Sequence, residues 1–267
     1  MPFEAAVDAV VAGDAATLKS LLRKNPELVR ARSARPHHAT LLHYTAANGV
    51  EDERQKTPPN AVEIARMLLE AGAEPDATAE MYGAPATTMA MLVSSFHPAQ
   101  AGLQSALVET LLDAGAAIEG ALMTALSFGY LDAARTLARR GARTDSLPAA
   151  AGLGHLDDAA RMLPSADAEQ RHRALALAAL HGHADVVRLL LDAGEDPNRY
   201  NPAGNHAHST PLHQAVLAGH EAVVRLLVER GARLDMKDTV YGGTPLGWAF
   251  YGKQRGIARY LRVHGTA

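Results

Sequence analysis

The chain has 267 residues, of which 48% are hydrophobic, 21% charged and 4% aromatic, with a formal net charge of −3. This length suffices for a sizeable hydrophobic core, and the absence of cysteine excludes disulfides, thiolate metal sites and cysteine nucleophiles. No apolar run approaches the about 20 residues of a membrane-spanning helix, and no secretory signal is visible, so we expect a cytoplasmic protein without a membrane partner. The 26 basic residues are scattered, which disfavours nucleic acid as a partner.

A helical segment that ends in glycine recurs six times along the chain. Each copy places apolar side chains on one helical face and closes with Gly, which adopts the left-handed conformation after a helix end without steric cost. A shorter helix rich in Ala and Leu precedes most copies, so the predicted unit is helix, tight turn, helix and loop. The six copies are 66–72 (RMLLEAG), 109–115 (ETLLDAG), 135–141 (RTLARRG), 188–194 (RLLLDAG), 225–231 (RLLVERG) and 259–265 (RYLRVHG).

The first helix of a unit begins with a capping sequence, which is clearest in Thr-Pro-Leu-His at 210–213. Thr is a favourable N-cap, and Pro at the first helical position loses no hydrogen bond. His at the third position can return a hydrogen bond, in the manner of a capping box. The sequence at 40–43 repeats the pattern with Leu in place of Pro, so we predict a structural capping role for His43 and His213.

These features together resemble the ankyrin repeat family: Thr-Pro-Leu-His, the Gly-His turn, and the Leu-Leu pair before Gly-Ala, at a period of about 33 residues. The match is almost complete over 208–235, and weaker copies extend it over essentially the whole chain. The resemblance implies an all-α fold, an ankyrin-repeat solenoid of stacked helix-turn-helix units with projecting β-turn loops. It implies one domain of eight repeats, at about 3–29, 36–76, 82–119, 120–145, 146–166, 171–197, 207–236 and 241–267.

Several segments depart from a plain repeat array. The segments 50–60 (VEDERQKTPPN) and 94–104 (SSFHPAQAGLQ) interrupt adjacent units, and we interpret them as polar surface excursions, with a lid or a partner-docking edge as the alternative. The segment 196–209 (DPNRYNPAGNHAHS) lengthens the loop before the seventh unit and would project at the rim of the groove. The fifth unit has Ser146 where the Thr cap belongs, and its second helix lacks the closing Gly.

The resemblance also implies a concave groove lined by the first helices and the loops, and the positions that would face it carry no full charge. A protein-binding groove mixes aromatic and polar residues, whereas a small-molecule site is mostly apolar with a few polar anchors. The pattern leaves both open, and packing of some of these residues between repeats is the alternative. The expected contact residues are Tyr44, Asn48, Met91, Phe128, His181, Tyr200, Asn201, His206, His208, Trp248 and Tyr251.

His206 and His208 lie two residues apart in the long loop, so both imidazoles could reach one cation. A metal site built on imidazole needs a third ligand and an oriented second shell, and the sequence fixes neither. We therefore expect no metal and no cofactor, with a site at His206 and His208 as the alternative. The histidines without supporting spacing are expected to be solvated: His37, His38, His97, His172 and His264.

No standard catalytic motif is present: the chain has no Walker loop, no dinucleotide-binding glycine pattern, no nucleophile elbow and no His-Glu-x-x-His. We predict a monomeric recognition module that binds a protein or peptide partner through its groove and loops. The alternative is a binder of an apolar small molecule, or an enzyme, with His and Tyr anchors under the 196–209 loop. A scaffold that only spaces other proteins is a third interpretation.

Overall fold

The computed structural model describes residues 2–265, and the chain divides after Ala142 into two compact units. Both units are mostly helical, and none of the helices in the described range 2–265 has the length and apolar character of a membrane span. The last two residues of the predicted eighth repeat, 266 and 267, lie outside the described part of the chain. Each unit is described separately below.

The first unit combines short helices with one β-hairpin. Its α-helices are α1 (Pro2–Ala12), α2 (Ala15–Lys24), α3 (Ala61–Glu70), α4 (Thr88–Leu92), α5 (Phe96–Gln100), α6 (Gln104–Asp113), α7 (Ala121–Ser127) and α8 (Leu131–Arg139). Three 3-10 helices cover Pro26–Val29, Leu41–Ala46 and Asp52–Arg54. Strands β1 (Thr78–Met81) and β2 (Ala84–Thr87) pair antiparallel, with Met81 opposite Ala84.

Helices of the first unit stack in two rows. The 3-10 helix Leu41–Ala46 packs against α1 and α4, and α4 packs against α7, which gives a row of first helices. The second row is α2, α3, α6 and α8, each in contact with the next. One helix pair cannot bury its apolar face alone, so this stacking supplies the core, with Leu18, Ile64 and Leu107 almost completely buried.

The segment 50–60 is anchored on the first helix. Arg54, in its 3-10 turn, donates to Glu4 Oε2 at 2.7 Å and to Asp8 Oδ1 at 2.9 Å, both on α1. Glu51 pairs with Arg35 and lies 3.3 Å from His37 Nε2. The ion pairs of Arg54 and Arg35 therefore hold this polar excursion against the body of the unit. His37 adds a hydrogen bond to Glu51 and is not a solvated side chain. The segment 94–104 contains α5.

The second unit contains four helix pairs. Their helices are α9 (Leu147–Leu153), α10 (Leu156–Met162), α11 (Ala168–Leu180), α12 (Ala184–Asp192), α13 (Pro211–Ala218), α14 (Glu221–Glu229), α15 (Pro245–Tyr251) and α16 (Arg255–His264), with a 3-10 turn at Leu163–Ser165. The fifth predicted unit, which departs from the repeat pattern, forms the helix pair α9 and α10. Ser146 Oγ caps α9 by accepting the Ala149 N–H at 3.3 Å. The 3-10 turn takes the place of the missing Gly at the end of α10.

The pairs of the second unit stack helix on helix. The first helices α9, α11, α13 and α15 contact one another in sequence, and so do the second helices α10, α12, α14 and α16. The shared core consists of small and branched side chains, such as Ala178, Val187, Val216 and Leu227, which are almost completely buried. This arrangement confirms the predicted all-α fold of stacked helix-turn-helix units.

The Gly-His turns connect neighbouring pairs through a ladder of hydrogen bonds. His183 Nε2–H donates to the Gly152 carbonyl at 3.0 Å, and His220 Nε2–H donates to the Leu180 carbonyl at 2.9 Å. The His220 ring covers Gly182 so closely that a Cβ there would lie 2.6 Å from its Nδ1. The turn Gly therefore provides both a positive φ and room for the next ring. His183 and His220 are therefore turn residues that also connect neighbouring helix pairs.

Candidate partner-binding site

The second unit carries an open, mostly apolar cavity of about 570 Å³. Four residues predicted from the sequence, His206, His208, Trp248 and Tyr251, lie together in its wall. The 196–209 loop supplies the two histidines and α15 supplies Trp248 and Tyr251. The full lining is His206, His208, Gln214, Leu217, Tyr241, Gly243, Gly247, Trp248 and Tyr251.

Tyr241, Trp248 and Tyr251 form the aromatic wall of this cavity. A buried carboxylate, Asp238, holds part of this wall in place. Only 2% of Asp238 is exposed. Its Oδ1 accepts the backbone N–H groups of Val240 at 3.0 Å and Tyr241 at 2.6 Å. Its Oδ2 accepts the Gly243 N–H at 2.7 Å and the indole Nε1–H of Trp248 at 3.0 Å. One side chain therefore shapes the 239–243 loop and orients the Trp248 ring.

These hydrogen bonds keep Asp238 ionised. Burial alone would raise the pKa of the Asp238 carboxyl, since a charge is poorly solvated inside a protein. The N–H groups of Tyr241, Trp248, Gly243 and Val240 outweigh that effect and hold the pKa well below its usual range. Asp238 is therefore negatively charged at neutral pH, and this charged carboxylate accepts the hydrogen bonds that hold the aromatic wall.

His213 supports the same wall from the start of α13. Its Nδ1 accepts the Thr210 N–H at 3.3 Å and lies 2.8 Å from Thr210 Oγ1, which confirms the predicted cap. Its Nε2–H donates to the Gly243 carbonyl at 3.1 Å, and its ring packs edge-on against Trp248 at 5.0 Å. Burial lowers the pKa of His213, so the imidazole is neutral and structural.

The 196–209 loop is held in shape by its own hydrogen bonds and by α11. Asn201 N–H donates to the Ser209 carbonyl at 2.8 Å, and Ser209 N–H donates to the His206 carbonyl at 3.0 Å. From α11, His172 Nε2–H donates to the Tyr200 carbonyl at 2.9 Å and Arg173 donates to the Ala203 carbonyl at 2.9 Å. The loop therefore presents His206 and His208 from an anchored frame.

Two histidines expected to be solvated are not. His172 is almost completely buried, because α11 carries it under the 196–209 loop, where it bonds the Tyr200 carbonyl. Burial lowers the pKa of His172. His37 is mostly buried, and its Nδ1 accepts the Ala39 N–H at 3.0 Å. Spacing along the sequence missed both because each contacts a distant segment: His172 bonds the Tyr200 carbonyl, and His37 contacts the Glu51 carboxylate.

Three predicted residues of the second unit do not line the cavity. The Tyr200 hydroxyl donates to the Lys237 carbonyl at 2.7 Å, so the ring connects two loops. Asn201 is buried within the 196–209 loop, and His181 is buried at the end of α11 with its ring stacked on His183 at 6.2 Å. Asn201 and His181 are therefore corrected from surface contacts to interior residues.

The remaining predicted contact residues belong to the first unit and differ in their burial. Tyr44 is completely buried, and its hydroxyl donates to Glu51 at 3.4 Å, so it is corrected from a groove residue to a core residue. Asn48 accepts the Tyr82 hydroxyl at 2.7 Å and donates to the Met91 carbonyl at 3.3 Å, which ties the hairpin to α4. Met91 is half-buried, and Phe128 is exposed at the end of α7.

The cavity combines aromatic rings with a few polar side chains. His206 and His208 lie with ring centroids 6.1 Å apart, and His208 lies 5.9 Å from the Trp248 ring. Within residues 2–265, no three His, Cys, Asp or Glu side chains converge to hold a metal ion. The cavity offers flat aromatic surface, two imidazoles and the amide of Gln214 as polar anchors.

The contact residues expected from the sequence do not include Asp238, Tyr241, Gln214 or Leu217, which also belong to this site. The sequence does carry a signal for Asp238, which precedes the pair Gly242-Gly243 by four residues. An Asp close to glycines is typical of a turn in which the carboxylate accepts backbone N–H groups. Nothing in the sequence indicates that the same carboxylate also reaches the indole of Trp248, ten residues further on.

Comparison with known proteins identifies the class. The sequence model of a family described as "Ankyrin repeats (3 copies)" matches residues 96–201, 147–238 and 175–266. These overlapping matches cover more than half of the chain. The chain is also 30% identical over 112 residues to "Ankyrin repeat and SAM domain-containing protein 6" of Mus musculus. That alignment covers 42% of this chain and only 12% of the mouse protein, so the two share a limited part of the relative's length.

The stacked helix pairs, the capping boxes and the Gly-His turns agree with the family match. The chain belongs to the ankyrin repeat family. Ankyrin repeats generally mediate protein–protein interaction.

Proposed function

We propose that the chain binds a partner protein by accepting a peptide segment in the cavity of the second unit. The observation that carries this proposal is the concentration of exposed aromatic surface there. Three of the chain's twelve aromatic residues, Tyr241, Trp248 and Tyr251, line one cavity. Tyr241 and Tyr251 are each 83% exposed.

Tyr and Trp are the residue types that dominate binding energy in protein interfaces. A ring presents a large apolar area while losing little conformational entropy on binding, since it has only two side-chain torsions. Exposed aromatic rings clustered around a concavity are therefore anchors for an incoming apolar side chain. Leu217 continues the apolar wall, and Gln214 supplies a polar contact inside it.

Rigidity of the support favours the same conclusion. Trp248 is held by the carboxylate of Asp238 and by the ring of His213, both of which are buried. A preorganised anchor lowers the entropic cost of association. The site is therefore prepared for binding before the partner arrives.

The second candidate, an apolar small molecule, is favoured by the cavity volume alone. About 570 Å³ falls in the range of about 300–1,000 Å³ that is usual for ligand pockets. Against it, a small-molecule site encloses most of its ligand, whereas the strong exposure of Tyr241 and Tyr251 leaves this rim open. An open aromatic rim fits a chain that enters and leaves the cavity.

The proposal is tested by selecting displayed random peptides on the intact chain and measuring the affinity of the selected peptides for variants. The double variant Trp248→Ala, Tyr251→Ala removes both anchors of α15, each of which contributes about 2 kcal/mol or more if it is a hot spot. We expect affinity to fall at least about 100-fold, because 1.4 kcal/mol corresponds to tenfold.

Tyr82→Ala is the matched control. Tyr82 is also a strongly exposed Tyr, but it lies in the hairpin turn of the first unit. This variant should keep full affinity. Peptides that bind the double variant as tightly as the unaltered chain would refute the proposal, and so would a library that yields no binder while an apolar compound quenches the Trp248 fluorescence.

A further inference from the structure

The second unit carries another cavity, of about 380 Å³, between α15 and α16. It shares no lining residue with the cavity around Trp248, the aromatic cavity. Its floor is apolar and its rim is basic. The lining residues are Ala249, Phe250, Lys253, Arg255, Ala258, Arg259 and Arg262.

All charged side chains that line this cavity are basic. Four Lys and Arg side chains line it and no carboxylate does. The sequence from 239 to 267 contains no Asp or Glu, although the whole chain has a net charge of −3. The basic residues are thus less scattered than their distribution along the sequence suggests, because these four converge on one surface.

Several arginines elsewhere in the unit form ion pairs with carboxylates. Arg225 pairs with Glu221 at 2.6 Å, and Arg233 pairs with Asp235 at 3.0 Å. Among the described residues, Arg255 and Arg259 form no ion pair with a carboxylate, and Lys253 forms none either. The positive charge is therefore available to a partner.

The spacing of the three arginines increases their mutual repulsion. Arg255, Arg259 and Arg262 stand at positions i, i+4 and i+7 of α16, so they lie along one stripe of the helix. Like charges at these spacings destabilise a helix. A surface that serves only solubility mixes both signs and avoids this cost. A stripe of one sign is instead typical of a surface that meets the opposite charge.

The apolar floor adds a second requirement for the occupant. Phe250 is 55% exposed, and the guanidinium of Arg262 lies 5.6 Å from its ring centroid. This combination does not favour nucleic acid as the ligand. Binding to its phosphates requires an extended basic surface, whereas the chain has a net negative charge. An apolar side chain flanked by carboxylates satisfies both the floor and the rim.

We propose that this cavity binds an acidic segment of a partner protein, with an apolar side chain on Phe250 and Asp or Glu carboxylates on the Arg255, Arg259 and Arg262 stripe. Guanidinium groups suit this partner because they form paired hydrogen bonds with carboxylates. The surface is separate from the aromatic cavity, so this inference stands or falls independently of the function proposed above.

The test measures binding of a fluorescent synthetic peptide, a run of glutamates around a central phenylalanine, to the intact chain. We expect binding that weakens steeply with added salt, since these charges are exposed and screened. The double variant Arg255→Gln, Arg259→Gln should bind about tenfold more weakly, as the loss of two partly screened ion pairs implies. Phe250→Ala should weaken binding without changing the salt dependence.

Two controls make the outcome decisive. Arg188→Gln removes an exposed arginine of α12 and should leave affinity unchanged. A peptide with glutamine in place of every glutamate should not bind. The proposal is overturned if the glutamine peptide binds equally well, if the double variant retains full affinity, or if the chain self-associates through this surface and excludes the peptide. Circular dichroism of each variant verifies that the helices are retained.

Discussion

The substitution Asp238→Asn tests whether one buried carboxylate holds the aromatic wall together. In the unaltered chain, Oδ1 accepts the N–H groups of Val240 and Tyr241, and Oδ2 accepts those of Gly243 and Trp248 Nε1. Asparagine has almost the same shape, but one of its two terminal groups is an NH₂ donor. Whichever way the amide turns, two N–H donors lose their acceptor.

The expected cost follows from those two donors. A buried donor left without a partner costs about 1–3 kcal/mol, and hydrogen bonds to a charged acceptor are the stronger ones. We therefore expect Asp238→Asn to lower the free energy of unfolding by about 3 kcal/mol. Because the pKa of Asp238 is depressed in the folded chain, its contribution is present above the unfolded pKa of about 4 and is lost only as pH falls further.

Urea unfolding provides the assay, because the chain has a single tryptophan. Trp248 fluorescence reports on the wall itself, and far-UV circular dichroism reports on all helices. The fluorescence transition of Asp238→Asn should move to lower urea than the unaltered chain at pH 7, and the difference should shrink only in strong acid. Asp235→Asn, which removes an exposed carboxylate paired with Arg233, should leave the transition in place. Equal effects of the two variants would refute the reasoning.

Two further substitutions test the capping histidine and the Gly-His ladder. Burial, aided by the positive charge of Arg32, lowers the pKa of His43 to about 4, so the titration of His43 should remove about 3 kcal/mol of the unfolding free energy between pH 6.5 and 4. His43→Gln keeps a capping side chain that does not titrate, and a urea series should show a flatter pH dependence. Gly182→Ala should cost about 2–3 kcal/mol, since φ is +79° and the Cβ meets the His220 ring. Gly194→Ala, at φ +92° with open space around it, should cost less in the same assay.

The architecture could be predicted from the sequence because its determinants are local and repeated. The capping His at 43 and 213 binds backbone only three residues away, and the turn Gly is required by its own φ. Such interactions leave the same residues at the same spacing in each copy. Ser146 shows the limit of the pattern, since a different capping residue performs the same role.

The candidate site was only partly predictable because burial depends on neighbours that are distant in sequence. The family resemblance placed Trp248 and Tyr251 in the groove, and the long loop added His206 and His208; all four line the cavity. The same resemblance selected Tyr44, which is completely buried. A position facing the groove in one repeat is therefore closed in another where an insertion or a longer loop lies over it.

The distribution of aromatic residues on α15 explains why two binding surfaces lie so close together. Trp248 and Tyr251 are three residues apart, and a helix turns 100° per residue, so both point to one side. Ala249 and Phe250 point to the other side, where the basic cavity lies. The sequence shows three aromatic residues within four positions and suggests one cluster. The helical geometry separates them into an uncharged aromatic wall and an apolar floor under arginines, so substitutions on one side should not alter binding on the other.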